Sequence, residues 1–262
     1  MERWNFISSS EAISKYPEHE TVTSKVPKLF LTEPDEIVIL YLHGNAETRS
    51  FGHRRELYKK LLELGIVILA PDYRGYADSY GGFAFKASQT TMAMDAKASF
   101  DFLKKYTHPS SKVIVWGHSL GTGVTTTLAD KLKESPEKPD AYVLEAPFSS
   151  MEDEVGTFQA AKGLGLVMDV NKLIKDSDLA FDSASFIKDI KEPISILHAK
   201  DDKIVPYELG EKLYQIALNN SCNVRFFPFE NSLGLGHENI YKAKSFGDVV
   251  KEILSNLNES QA

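Results

Sequence analysis

Lys112-Val113-Ile114-Val115-Trp116-Gly117-His118-Ser119-Leu120-Gly121-Thr122-Gly123 is the stretch on which the reading of the whole chain turns. Lys112–Trp116 is a short, apolar, β-branched run that predicts a buried strand. Leu120–Lys133 places Val124, Leu128 and Leu132 at helical spacing. Between them, Gly117-His118-Ser119-Leu120-Gly121 fits G-x-S-x-G, a sharp strand-to-helix turn that holds a serine in a strained conformation. Small residues are needed two positions either side of the serine, because the chain doubles back there and leaves no room for bulk. With glycine near 7% of residues, such a match arises by chance roughly 0.1 times in a chain of this length. The strand before and the helix after supply the context that a chance match lacks.

Outward from this turn, the same alternation repeats. Ile37–Leu42 predicts a strand, followed by a helix over about residues 52–64 with Leu57, Leu61 and Leu64 on one face and Gly65 as its stop. Ile66–Ala70 is the next strand; residues 90–106 form the next helix, with Met92, Ala96, Phe100 and Leu103 in step, closed by His108-Pro109. Ala141–Leu144, Ile194–Leu197 and about Cys222–Phe227 read as strands, and residues 206–218 and 242–256 as helices. Continuous apolar strands separated by helices predict an α/β fold, with a mostly parallel central sheet covered by helices on both faces. A length of 262 residues suits one domain, 1–262. The connection at about 148–191 is longer than a helix crossover requires and predicts a lid or cap insertion.

Composition narrows the classes. A net charge of −7 argues against a nucleic-acid footprint, which needs a clustered basic face. The single cysteine, Cys222, forms no internal bridge, and its apolar surroundings predict a buried structural thiol. Met1–Phe6 opens no long apolar segment, and Ile37–Leu42 and Ile66–Ala70 are far shorter than the roughly 20 residues of a membrane span. The expectation is a cytoplasmic or peripheral membrane protein. His, Cys and carboxylates do not fall at metal-ligand spacing, so no metal and no cofactor is expected.

A serine on such a turn needs a base, an acid and donors for the developing oxyanion. Ser119 lies at a helix N-terminus, where free N–H groups and the dipole favour negative charge. The donors expected are the backbone N–H of Leu120 and that of Asn45, in the loop His43-Gly44-Asn45-Ala46 after the first strand. His43 is expected to brace that loop. The acid should follow a later strand, where Asp201 and Asp202 compete; neighbouring side chains on an extended segment point opposite ways, so one alone faces the site. Glu145, after Ala141–Leu144, is a further position for an acid. In the order serine, acid, histidine, His237 is the one histidine after these aspartates, in the loop Gly234-Leu235-Gly236-His237-Glu238.

Three stretches carry a closer likeness: Leu40-Tyr41-Leu42-His43-Gly44-Asn45-Ala46, Asp72-Tyr73-Arg74-Gly75-Tyr76 and Trp116–Gly123. With Leu144-Glu145-Ala146-Pro147-Phe148, His198–Asp202 and Phe227-Pro228-Phe229, they resemble the lysophosphatidylserine and monoacylglycerol lipases of the α/β-hydrolase fold. The likeness covers roughly residues 36–148 and 194–257. Its pattern H-G-x-x-D-x-x-V-P, set against His198–Pro206, selects Asp202 over Asp201. Ser119, Asp202 and His237 are thereby expected as a catalytic triad. The resemblance implies an esterase for single-chain glycerolipids, monoacylglycerol or lysophospholipid, without a cofactor. Rival expectations are a carboxylesterase for small soluble esters, a protein depalmitoylase, and a non-catalytic binding module on the same scaffold. Members of the group usually carry an N-terminal membrane anchor, which is not legible here, and Ala77 stands where they commonly have glycine. In the lid, Leu164, Leu166, Val167 and Met168 are expected to wall an acyl chain, and Arg49 and Arg54 to meet a phosphate head group.

Overall fold

The computed structural model describes residues 34–45, 48–77, 79, 87–155 and 178–259. Among the described residues, six strands form one sheet: β1 (Ile37–Leu42), β2 (Val67–Leu69), β3 (Lys112–His118), β4 (Ala141–Glu145), β5 (Ile194–Ala199) and β6 (Val224–Phe229). Their order is β2-β1-β3-β4-β5-β6, and every pairing is parallel. Between them run the helices α1 (Gly52–Glu63), α2 (Gln89–Tyr106), α3 (Leu120–Leu132), α4 (Ser183–Phe186), α5 (Tyr207–Asn219) and α6 (Phe246–Glu259). This is an α/β-hydrolase fold.

The continuous apolar strands are explained by two cores, one on each face. Val38, Leu40 and Leu42 of β1 pack with Met92 and Phe100 of α2, Val124 and Leu128 of α3 and Leu213 of α5. Ile39 and Tyr41, one residue out of phase, pack with Leu57 and Leu61 of α1 and Val250 and Ile253 of α6. Successive side chains point to opposite faces, so a strand buried on both sides must be apolar at every position.

Local signals set the ends. Gly65, at φ 80°, follows α1 and takes the left-handed turn that sends the chain into β2. Ser88 caps α2 reciprocally with Thr91. Two expected boundaries shift. Residues 240–242 form a 3₁₀ turn and α6 begins at Phe246 rather than near 242. Cys222 lies before β6 and is only half-buried, its thiol on the carbonyl of Ile187, so the expectation of a buried strand thiol is corrected.

Chain order and sheet order part company at β1. From β1 the chain moves outward to β2, then crosses back to β3 on the other side of β1. In open parallel sheets the crevice beyond the strand ends at such a switch point is the usual ligand site. The loops after β1 and β3 both open there. Among the described residues, no helix is long and apolar enough to cross a membrane, and no cluster of three metal-ligating side chains exists.

Candidate active site

Ser119 closes β3 and opens α3 with φ 53° and ψ −121°, a left-handed conformation for a residue that is not glycine. Strain of this kind costs about 1–3 kcal/mol and persists only where the surroundings enforce it. Its N–H donates to the carbonyl of Glu145 at 2.9 Å, and its carbonyl accepts from the Thr122 amide at 2.8 Å and the Thr122 hydroxyl at 2.6 Å. The two motif glycines are required for steric reasons. A Cβ on Gly121 would overlap the carbonyl of Leu42, and one on Gly117 would overlap the carbonyl of Gly121. Ser119 itself stays partly accessible.

The loop after β1 comes close to the serine at Gly44, where an added methyl would lie 3.1 Å from Ser119 Cβ. A buried network fixes this loop. His43 Nδ1 donates to the Gly44 carbonyl at 2.8 Å, its Nε2 lies 3.2 Å from Asp72 Oδ1, and Tyr73 Oη donates to the His43 carbonyl at 3.0 Å. Burial pushes the Asp72 carboxyl up, but His43 and Arg49 outweigh it and hold the carboxyl below its usual range. Asn45 is exposed, and its side chain accepts from Tyr76 Oη at 3.0 Å. Leu120 is the first residue of α3, so its N–H has no intrahelical acceptor.

The candidate acid and base come from the far strands. Asp202 follows β5, and its Oδ1 accepts the amides of Ile204 at 2.8 Å and Val205 at 3.0 Å, which fixes the turn. Its Oδ2 accepts from His237 Nδ1 at 2.7 Å. A second imidazole, His198, is buried 3.4 Å from the same Oδ2 while Nε2–H donates to the Val205 carbonyl at 3.0 Å. Burial pushes the Asp202 carboxyl up, but the bonds to His198 and His237 prevail and hold it well below the ordinary carboxylate range. Asp201 turns away, and its Oδ1 accepts the Gly236 amide at 3.0 Å. Both aspartates therefore brace the histidine loop, one through the ring and one through the backbone. The proton on His237 Nδ1 points at Asp202, which leaves Nε2 as the basic nitrogen.

Ser119 and His237 meet through a third residue. His118 Nε2 donates to the main-chain carbonyl of His237 at 2.9 Å, and the two rings lie 4.9 Å apart. Among the described residues, no hydrogen bond joins Ser119 Oγ to His237. Such bonds are often long without substrate and tighten in the reactive complex.

The remaining expected positions fare differently. The guanidinium of Arg49 pairs with Asp72 Oδ2 while its amide donates to Oδ1 at 2.6 Å. Arg54 is 2% exposed and donates to the carbonyls of Thr48 at 2.5 Å and Gly44 at 3.3 Å. In place of an expected phosphate contact, both arginines are turned onto internal acceptors that shape the Gly44 loop. Leu164, Leu166, Val167 and Met168 lie outside the described residues, as does half of the expected lid. Glu145 is 2% exposed, accepts from Trp116 Nε1 at 2.8 Å, and is pushed up to about 7 by burial against that hydrogen bond. Its contact is with the core tryptophan, not with an imidazole. No site role for Asp72, His118 or His198 follows from the sequence alone. All three stand inside the quoted stretches that carry the resemblance, but nothing local says which distant group each would meet.

The chain is similar to several known proteins. The family described as serine aminopeptidase, S33, matches residues 32–183. The chain is 38% identical over 225 residues to the lysophosphatidylserine lipase ABHD12 of Danio rerio, covering 83% of this chain and 58% of that protein. It is 35% identical to protein ABHD12B of Homo sapiens, covering 83% of this chain and 60% of that one. The chain thus spans somewhat over half the length of these relatives. Among solved structures, Est1E from Butyrivibrio proteoclasticus with bound ferulic acid superimposes with a TM-score of 0.66 at 17% identity, covering 86% of this chain and 90% of that one. The Pyrococcus furiosus esterase Pf2001 gives 0.63 at 21% identity, covering 85% and 83%. These two likenesses concern the fold.

Proposed function

The chain belongs to the S33 serine aminopeptidase family of α/β-hydrolases, and from that premise we propose that it is a carboxylic ester hydrolase acting through Ser119, His237 and Asp202. The observation that carries the reading is the 2.7 Å bond between His237 Nδ1 and Asp202 beside a serine held at φ 53°. His237 Nε2 takes the proton of Ser119 as Oγ bonds to the acyl carbon. The tetrahedral oxyanion is met by the N–H groups of Leu120 and Asn45, each worth about 2.7–4 kcal/mol of transition-state stabilisation. The imidazolium, stabilised by Asp202, returns its proton to the leaving alkoxide as the C–O bond breaks. Water then attacks the acyl-enzyme by the same relay, releasing the carboxylic acid and Ser119.

The substrate class proposed is a single-chain glycerolipid, monoacylglycerol or lysophospholipid, in keeping with the lysophosphatidylserine lipases among the relatives. An acyl chain entering an apolar groove gains about 0.8 kcal/mol per buried CH₂, roughly fourfold in kcat/KM for each carbon until the groove is full. A series of p-nitrophenyl esters from acetate to palmitate, with monoacylglycerol and lysophospholipid counterparts and Ser119→Ala as blank, tests this. Rates rising with chain length are expected. A steep preference for acetate overturns the lipid assignment, and equal rates with the blank overturn the hydrolase itself.

A further inference from the structure

Behind His237 lies a buried imidazole with no part in the mechanism above. His118 is 3% exposed, and its ring packs 4.9 Å from that of His237 on one side and 5.8 Å from that of His53 on the other. The acceptor of its one hydrogen bond is the main-chain carbonyl of His237, 119 residues away, which can only accept. Nε2 therefore carries the ring proton. Nδ1 is buried and has no hydrogen-bond partner among the described residues. A buried polar atom left unpaired costs about 1–3 kcal/mol. A ring kept in place at that cost, one residue before the nucleophile, requires an explanation that packing alone does not give.

Resting on the triad assignment above, we infer that His118 is a positioning residue: its Nε2–H fixes the main chain of His237 against the nucleophile turn and so sets the distance between base and serine. His237 sits on a loop with Gly234 at φ 63° and Gly236 at φ 56°, two left-handed glycines that give it freedom. Asp202 orients the ring and Asp201 holds the Gly236 amide, but both belong to the segment after β5. His118 is part of β3, on the same rigid turn as Ser119. Its bond is the direct tie from the nucleophile's strand to the base. Gly44 completes the arrangement, since a methyl there would lie 3.2 Å from His118 Nδ1 and 3.1 Å from Ser119 Cβ. The same ring thus borders the oxyanion loop. Burial, with His237 close by, keeps the imidazole neutral by moving its pKa well below the ordinary value.

The test compares His118→Phe, which keeps a ring and loses the donor, with His118→Gln and His118→Asn. Gln carries its amide nitrogen as many bonds from Cβ as Nε2 is, whereas Asn is one bond too short. Rates are expressed per site titrated with a fluorophosphonate, so that loss of folded protein does not count. A base displaced by about 1 Å costs on the order of 100-fold. Phe and Asn variants should lose about that much in kcat with KM within twofold, and Gln should recover most of it. In parallel, proton NMR follows the downfield signal of the His237 Nδ1–H···Asp202 bond, assigned with His237→Gln. It should broaden or vanish in Phe and Asn variants and return with Gln. Equal rates in all three variants, or an equal loss in Gln and Phe with the NMR signal intact, overturn the inference. If Phe does not fold, the Gln–Asn contrast decides alone. The NMR arm needs no turnover, so a protein inactive on every ester would overturn the triad reading while still answering for His118.

Discussion

The two halves of the site are held by different physics. Around Ser119 the chain is fixed by exclusion: Gly117 and Gly121 touch backbone so closely that no side chain fits, and the serine is forced to φ 53°. Around His237 it is fixed by attraction: Asp202 on the ring, Asp201 on the Gly236 amide and His118 on the main-chain carbonyl. Steric fixation is rigid and local. Hydrogen-bonded fixation is graded, pH-sensitive and assembled from three separate strand ends, so the halves should break differently.

Removing the nucleophile is expected to do most. Ser119→Ala should lower kcat by about 10⁵–10⁶-fold, as loss of a serine nucleophile does elsewhere, with Tm little changed because alanine keeps the Cβ and with it the same strain at φ 53°; ester turnover beside a thermal melt checks both. Asp202→Asn should cost about 10⁴-fold in kcat by favouring the wrong imidazole tautomer. A loss of tenfold or less would mean that another carboxylate does the work. On the steric side, Gly121→Ala should destabilise the fold by more than about 4 kcal/mol, read by urea unfolding or by failure to recover soluble protein. If that variant folds normally, the exclusion account is wrong.

Glu145 separates the halves by pH. Its folded value is about 7 against an ordinary 4.5, so the folded state binds the extra proton between those values. Stability is therefore lost as pH rises from about 4.5 to 7 and stays lower above that. Glu145→Gln keeps an acceptor for Trp116 Nε1 and removes the ionisation, so its advantage over the native chain should grow across that window to about 3 kcal/mol. A pH-independent difference in Tm would contradict this. The smallest effect belongs to Asp201→Ala, which removes one backbone hydrogen bond worth about 1 kcal/mol and should lower kcat less than tenfold. Steady-state kinetics of that variant beside Asp202→Asn reads out how unequally the neighbours share the task.

Much of this was legible in the chain, and the exceptions share a cause. The run Lys112–Gly121 predicts strand, turn and helix, and the structure has β3, Ser119 and α3 there, with the strand two residues longer than the expected Trp116 end. Periodicity placed α2 and α5 to within a residue. The expected start of α6 near 242 precedes Phe246 because the 3₁₀ turn at Ile240–Lys242 runs into Ala243 in an extended conformation, φ −61° and ψ 135°, before the helix begins. Arg49 and Arg54 look like head-group ligands in a list of basic residues. Their carbonyl and carboxylate partners at Gly44, Thr48 and Asp72 become visible only when the loop is folded.

By itself the sequence determined the strand–helix alternation, the nucleophile turn and the order in which serine, aspartate and histidine occur. Each depends on residues within a few positions of one another, through side-chain periodicity or the lack of a Cβ. Which strand lies beside which, that Asp201 holds the Gly236 amide, and that His118 holds the carbonyl of His237 were decided only by the tertiary structure. Those are contacts between residues 35 and 119 positions apart, and a hydrogen bond's strength falls away within a fraction of an ångström. Local pattern carries no information at that range.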